Sequence, residues 1–197
     1  DRSALGPVAP PDARIALPRT PARRTASAEA EIALMLPWNA LVQTRARREG
    51  FVEVVGAGWV DQDAVAPFGD FETDLATAAE RLLGTPHVLG GRDDRGTDCS
   101  GLVLQALTAC GLPGARYTPD QVELGRAVDP AEARRGDLVL WLKPDLKTWG
   151  GHSAVVHDAD HVIHAAGHAR AVVIEPLAEA AARYAADGFA PPVFRRV

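Results

Sequence analysis

The octapeptide Gly96-Thr97-Asp98-Cys99-Ser100-Gly101-Leu102-Val103 constrains this chain more than any other stretch. It joins a glycine-rich loop, residues 84–95, to an apolar run in which Leu102, Val103, Ala106, Leu107 and Cys110 recur at near-helical spacing. That pattern predicts a helix from Cys99 to Cys110, stopped by Gly111 and Pro113. Cys99 then falls in the first turn. Backbone N–H groups there lack intrahelical partners, and the positive end of the dipole favours negative charge. The position therefore favours thiolate and can hold a developing oxyanion. Against this stands plain packing, since a free cysteine behaves as a small hydrophobe. The polar flanks Asp98 and Ser100 argue against packing for Cys99, whereas Cys110 lies on the apolar stripe and reads as core. On one helix the two thiols stand roughly 16 Å apart at 1.5 Å per residue. A disulfide tolerates only about 7 Å between Cα atoms, so Cys99 is expected to be a free thiol.

Five of the six histidines fall between positions 152 and 168. The alternating segments Leu138–Leu142, His152–His157, His161–Ala165 and Ala171–Glu175 read as strands, with a tight turn at Asp158-Ala159-Asp160. A hairpin turning about Asp158 sets His152 directly opposite His164, with Cβ atoms about 4.5–5.5 Å apart. His157 and His161 then point to the other face and, with His168, read as solvent-facing. The His152–His164 pair is expected to face the cysteine helix. Such an arrangement suits thiol hydrolysis. Cys99 attacks a carbonyl, His152 holds it as thiolate and then protonates the leaving amine, and His164 fixes the tautomer of His152. The competing reading is a zinc site of His152, His164 and Asp160. Strands give it no fixed ligand spacing, and it leaves Cys99 idle, so no metal and no cofactor is expected.

The remainder of the chain frames these residues. Prolines 7, 10 and 11 mark residues 1–11 as an extended linker. Short β-like segments follow at Ala13–Leu17, Glu31–Leu36, Ala40–Arg45, Phe51–Val55 and Gly58–Val60, which suggests a small β-barrel over residues 12–66. A helix over 26–36 fits less well. Pro67 and Gly69 mark a boundary, after which Asp70 caps a predicted helix to Leu83. A polar connection runs from Pro113 to Asp129, and a helix over Leu177–Ala186 precedes a last strand at Val193–Val197. Helices first and strands after give an α+β order for residues 67–197. The net charge of −5, with no long basic stretch, speaks against nucleic acid. No apolar run reaches the roughly 18 residues of a membrane span. The first residue is Asp1 rather than Met, so the native start is taken to be missing and the compartment, cytoplasmic or cell envelope, stays open, as does the oligomeric state.

Five ordered motifs carry a resemblance: Gly84-Thr85-Pro86-His87-Val88-Leu89-Gly90-Gly91, Asp98-Cys99-Ser100-Gly101-Leu102-Val103, Arg135-Gly136-Asp137-Leu138-Val139, Gly151-His152-Ser153-Ala154-Val155-Val156 and Val162-Ile163-His164-Ala165. Together they resemble the NlpC-type cell-wall cysteine peptidases over about residues 70–197. The resemblance implies a papain-like α+β fold and cleavage of the bond between γ-D-glutamate and the diamino acid of peptidoglycan stem peptides or muropeptides. It implies Cys99 as nucleophile, His152 as base and His164 as orienting residue. Arg116-Tyr117-Thr118-Pro119-Asp120-Gln121 is similar to the family's Arg-x-Ser/Thr-x-x-Gln segment beside the substrate cleft. Oxyanion and substrate contacts are accordingly expected from His87, Asp98, Ser100, Arg116, Tyr117, Thr118 and Gln121. Two positions depart from the family pattern. His87 stands where a tyrosine hydroxyl usually helps the oxyanion hole, and Tyr117 where relatives with recycling-type specificity carry an aspartate for a free amine. Residues 12–66 resemble bacterial SH3-like barrels, mainly through Phe51–Val55 and Gly58-Trp59-Val60. The same triad also permits acyltransferase or amidase chemistry, and the barrel leaves open a non-catalytic wall-binding protein.

Overall fold

The computed structural model describes residues 10–144 and 150–197. Of the expected linker, residues 1–9 lie outside the described residues. The chain divides into two compact units, one ending at Asp70 and the other spanning Phe71–Val197.

The first unit holds β1 (Ala13–Ile15), β2 (Thr20–Arg23), β3 (Ile32–Leu36), β4 (Leu41–Val42), β5 (Thr44–Arg48), β6 (Phe51–Val54), β7 (Gly58–Asp61) and β8 (Val65–Pro67). They form two antiparallel sheets, ordered β4-β1-β8 and β3-β2-β7-β6-β5. Ile15, Ala22, Val54 and Val60 pack in a shared core. Among the described residues these two sheets do not close into a barrel. The segment Ala40–Arg45 is not one strand: Leu41–Val42 pairs with β1 and Thr44–Arg48 with β6, so the chain changes sheets at Gln43. Strands β2 and β8 escape a sequence reading because Pro21 and Pro67 lie in them, and proline is poorly compatible with a sheet interior. Residues 32–36 are strand, not helix.

The second unit opens with α1 (Leu75–Glu80). Its cap is Asp74, whose Oδ1 accepts the Thr77 N–H at 2.9 Å, and not Asp70 as expected. The intervening backbone is tied elsewhere, with the Glu72 N–H donating to the Ala109 carbonyl. The glycine-rich loop carries a short hairpin, β9 (Arg92–Asp93) and β10 (Gly96–Thr97), and leads into α2 (Cys99–Ala109). The polar connection to residue 129 contains α3 (Thr118–Gln121) and β11 (Arg126–Val128), elements too short and polar to register as periodicity. Then come β12 (Leu138–Leu142), β13 (Gly151–Val156), β14 (His161–Ala166), β15 (Ala171–Pro176), α4 (Leu177–Ala186) and β16 (Val193–Arg196). They and β11 make one antiparallel sheet in the order β11-β16-β12-β13-β14-β15.

One sheet face buries Val139, Trp141, Ala154, Val156, Val162 and Phe194 with Ala180 and Tyr184 of α4. The other carries Ser153, which bonds to α3, and His157, which pairs with Glu80 of α1 at 3.0 Å. Helix α2 packs against α1, β13 and β14. His157 is thus half-buried against α1, and the expectation that it faces solvent is corrected. The histidine hairpin is also offset. Val155 pairs with Ile163 and Val156 with Val162, which centres the turn on Ala159. His152 and His164 are therefore diagonal, not opposite, neighbours. A slip of two residues preserves the face, where a slip of one would have lost it. Strands β13 and β14 pair at those two positions only, although β13 pairs with β12 over five and β14 with β15 over six. The sheet therefore parts at the end that holds the two histidines.

Glycine permits the loop to dock on α2. A Cβ at Gly101 would run into the Gly91 carbonyl oxygen, a backbone atom that cannot swing away. Gly101→Ala is expected to destabilise the second unit by about 1–3 kcal/mol, the usual size of an overpacking strain, and to lower the reactivity of the adjacent Cys99. Urea unfolding and thiol alkylation rates check both.

Candidate active site

Cys99 is the first residue of α2 and Asp98 is its cap. Asp98 Oδ1 accepts the Gly101 N–H at 2.7 Å, and Oδ2 accepts the Gly90 N–H at 2.8 Å. Arg116 grips both oxygens at 3.0 and 2.7 Å. Burial works against the Asp98 charge, but Arg116 and the N–H donors hold its carboxyl below the ordinary carboxylate value. Asp98 borders the cleft, yet both of its oxygens are already taken. It fixes the helix start and the loop. Ser100 is likewise buried, its hydroxyl donating to Asp98 at 3.2 Å and accepting from Arg116 at 3.0 Å.

The Cys99 side chain is half-buried in a cleft of about 280 Å³ that also exposes His87, Tyr117, Thr118, His152, Tyr184 and Phe189. Burial pushes the thiol above its ordinary value, although the Ser153 and Ser100 N–H groups and the Thr118 hydroxyl all favour the thiolate. The helix start favours thiolate, as expected, but desolvation outweighs its donors.

His152 lies within the same cleft. Its Nε2 is 2.6 Å from His164 Nδ1, with the two rings edge to face. Tyr184 stacks on the His152 ring with centroids 4.3 Å apart, and Trp141 lies beside it at 5.8 Å. Burial, and then the neighbouring His164, drive His152 well below its ordinary value. His164 is fully buried, and burial lowers it to about 4 despite the opposing charge of Glu175. The pair shares its sheet face with α4, not with α2 as expected. Cys99 joins it because the first turn of α2 reaches the parted end of the sheet, where the Ser153 N–H points to the sulfur.

The other expected contacts divide. His87, Tyr117 and Thr118 line the cleft. Gln121 does not: it is fully buried, donates to the Ser100 and Ala115 carbonyls at 3.0 and 2.9 Å, and accepts from Ser153 Oγ at 2.7 Å. It braces α3 against α2 and β13 in place of touching a substrate, and Arg116, held by Asp98, braces the loop. Among the described residues no three His, Cys, Asp or Glu side chains converge as metal ligands. Nor is any helix there long and apolar enough to cross a membrane. A sequence reading missed Glu175, whose Oε1 is 2.6 Å from His164 Nε2 and whose carboxylate is clamped by Arg183 at 2.7 and 2.8 Å. The signal available was an acidic residue in an otherwise apolar strand.

Residues 84–189, just over half of the chain, match the NlpC/P60 family. This chain belongs to the NlpC/P60 family. Peptidoglycan endopeptidase RipB of Mycobacterium tuberculosis is 36% identical over 90 residues, which cover 46% of this chain and 36% of that protein. Murein DD-endopeptidase MepS/Murein LD-carboxypeptidase of Escherichia coli is 41% identical over 59 residues, 29% of this chain and 31% of that one. The matched stretches thus span about a third of either relative. The crystal structure of an NlpC/P60 family protein from Bacillus cereus superposes with a TM-score of 0.77 at 22% identity, covering 95% of this chain and 63% of that chain, a likeness of fold.

The lowered His164 value has a consequence for stability. Between pH 6.5 and about 4 the unfolded chain takes up a proton that the folded chain does not. Stability is expected to fall as the pH drops through that window, by an amount on the order of 3 kcal/mol from His164, with His152 adding in the same direction. His164→Gln should flatten the dependence of the urea midpoint on pH between 7 and 4.5; equal slopes in the two proteins would contradict it.

Proposed function

We propose that this NlpC/P60 protein is a cysteine endopeptidase that hydrolyses peptidoglycan stem peptides, at the bond between γ-D-glutamate and the diamino acid. The observation that carries the reading is the short His152–His164 contact in the cleft that exposes Cys99. The endopeptidase activities for which RipB and MepS are named, together with the motif resemblance, support the substrate class.

In this reading the resting pair is a neutral thiol and a neutral imidazole, because each buried charge alone is disfavoured. As the sulfur attacks the carbonyl carbon, the thiol proton passes to His152, and the thiolate and imidazolium charges form together and offset each other. The oxyanion is held by the Cys99 N–H at the start of α2 and by His87, which lines the same cleft. The imidazolium then protonates the leaving amine, and a thioester remains on Cys99. Water, deprotonated by His152, attacks the thioester, releases the acid product and restores the thiol. The residues up to Asp70 serve as a bacterial SH3-like accessory module, a reading supported by their short antiparallel strands and small common core. Domain limits of 12–66 and 67–197 go with it.

Cys99→Ala is expected to abolish cleavage of an L-Ala-γ-D-Glu-diamino acid peptide while leaving thermal unfolding unchanged; unaltered turnover, followed by mass spectrometry, would end the proposal. Because His152 is held below its ordinary value, it stays able to accept a proton in mildly acidic solution. The acid limb of kcat/KM should therefore lie below pH 6.5, and a limb above that value would contradict a buried neutral base.

A further inference from the structure

We infer that Glu175, clamped by Arg183, is a positioning residue that sets which nitrogen carries the proton in both histidines, leaving His152 Nδ1 as the base; this rests on the hydrolase reading above. Glu175 is the penultimate residue of β15, and its side chain is only 11% exposed. Two guanidinium N–H groups of Arg183, from α4, bond its two oxygens at 2.7 and 2.8 Å. Its Oε1 lies 2.6 Å from His164 Nε2, off the line of an ideal hydrogen bond, and its Oε2 lies 3.4 Å from His168 Nε2.

Proton inventory does the rest. An ionised carboxylate can only accept, so the hydrogen between Glu175 and His164 belongs to His164 Nε2. A neutral imidazole has one N–H, so His164 Nδ1 presents a lone pair. His152 Nε2, 2.6 Å away, must then supply the hydrogen of that contact. His152 in turn is left with a lone pair on Nδ1, the nitrogen able to take the thiol proton. With the opposite tautomer Nδ1 would carry the N–H and could not act as a base.

Arg183 has a separate task. A bare carboxylate would draw a second proton onto His164, and an imidazolium there could no longer accept from His152. The groups that face the His164–Glu175 contact are His152 on β13, Tyr184 and Arg183 on α4, and His168 in the β14–β15 turn. Against burial, which raises it, Arg183 and His164 keep the Glu175 carboxyl below its ordinary value, so the acceptor persists across the working range.

The first test needs neither variant nor substrate. Nitrogen-15 NMR of the imidazoles in the full chain at pH 7 should find both His152 and His164 protonated at Nε2; a His164 protonated at Nδ1 overturns the inference. Glu175→Gln should mix the tautomers and lower kcat roughly 10–100-fold at unchanged KM, the size of loss seen when a partner of a metal-binding histidine's second nitrogen is removed. Glu175→Asp should recover part of it. A folded Glu175→Gln protein with unaltered tautomers and kcat overturns it as well. Should that variant not fold, Arg183→Met, altered at a partly exposed position, should raise the His164 titration and carry the acid limb of Cys99 alkylation upward with it; an unmoved limb counts against the inference. If the peptide is not cut by the unaltered chain, the hydrolase reading fails, while the tautomer and alkylation measurements still decide the role of Glu175.

Discussion

Asp98 is the joint on which the second unit turns. One carboxylate caps α2 through the Gly101 N–H, anchors the glycine-rich loop through the Gly90 N–H and receives the fork of Arg116. Three separate segments are thereby referred to one point, and the next residue is Cys99. The sulfur has its place because the backbone on either side of it is held by charge-assisted bonds within a largely buried setting, where such bonds are strongest. Arg116 and Gln121 extend the same frame outward, the first to the loop and the second to α3 and β13.

A second constraint acts on the histidines of the same cleft. The imidazole of His152 is covered by the stacked ring of Tyr184, with Trp141 packed beside both, and its partner His164 has no exposure at all. Both rings are cheaper to keep neutral than charged. The cleft thus gathers groups whose uncharged forms are favoured by burial.

Much of this was legible in the residues. The α2 boundaries follow from Asp98, the apolar spacing and Gly111, and the limits of α4 from Pro176 and the alanine-rich run that follows. Cys99, His152 and His164 stood out as chemistry on otherwise apolar elements. The failures have physical reasons. Alternation determines which face a strand residue takes but not which neighbour it meets, so the hairpin came out offset by two residues while the histidine pair survived. The internal bonds of Asp98 and Gln121 were not legible either, because a polar residue beside a reactive thiol carries no label for where its bonds go. Glu175 was invisible because its significance arises from Arg183, eight positions on and across a strand-to-helix junction. The capping choice between Asp70 and Asp74 turned on a backbone bond from Glu72 to Ala109, a distant pairing with no local signature.

Arg183 and Tyr184 are consecutive residues of α4, and they do different things: one grips the carboxylate behind the histidines, the other covers the ring in front. Successive positions on a helix diverge by roughly 100°, so this division of labour depends on the rotational phase of α4. Inserting or deleting a single residue between Pro176 and Arg183 would rotate both side chains away at once. Length in this helix is therefore held by chemistry as much as by packing, and an evolving lineage can vary its solvent-facing letters far more freely than their number.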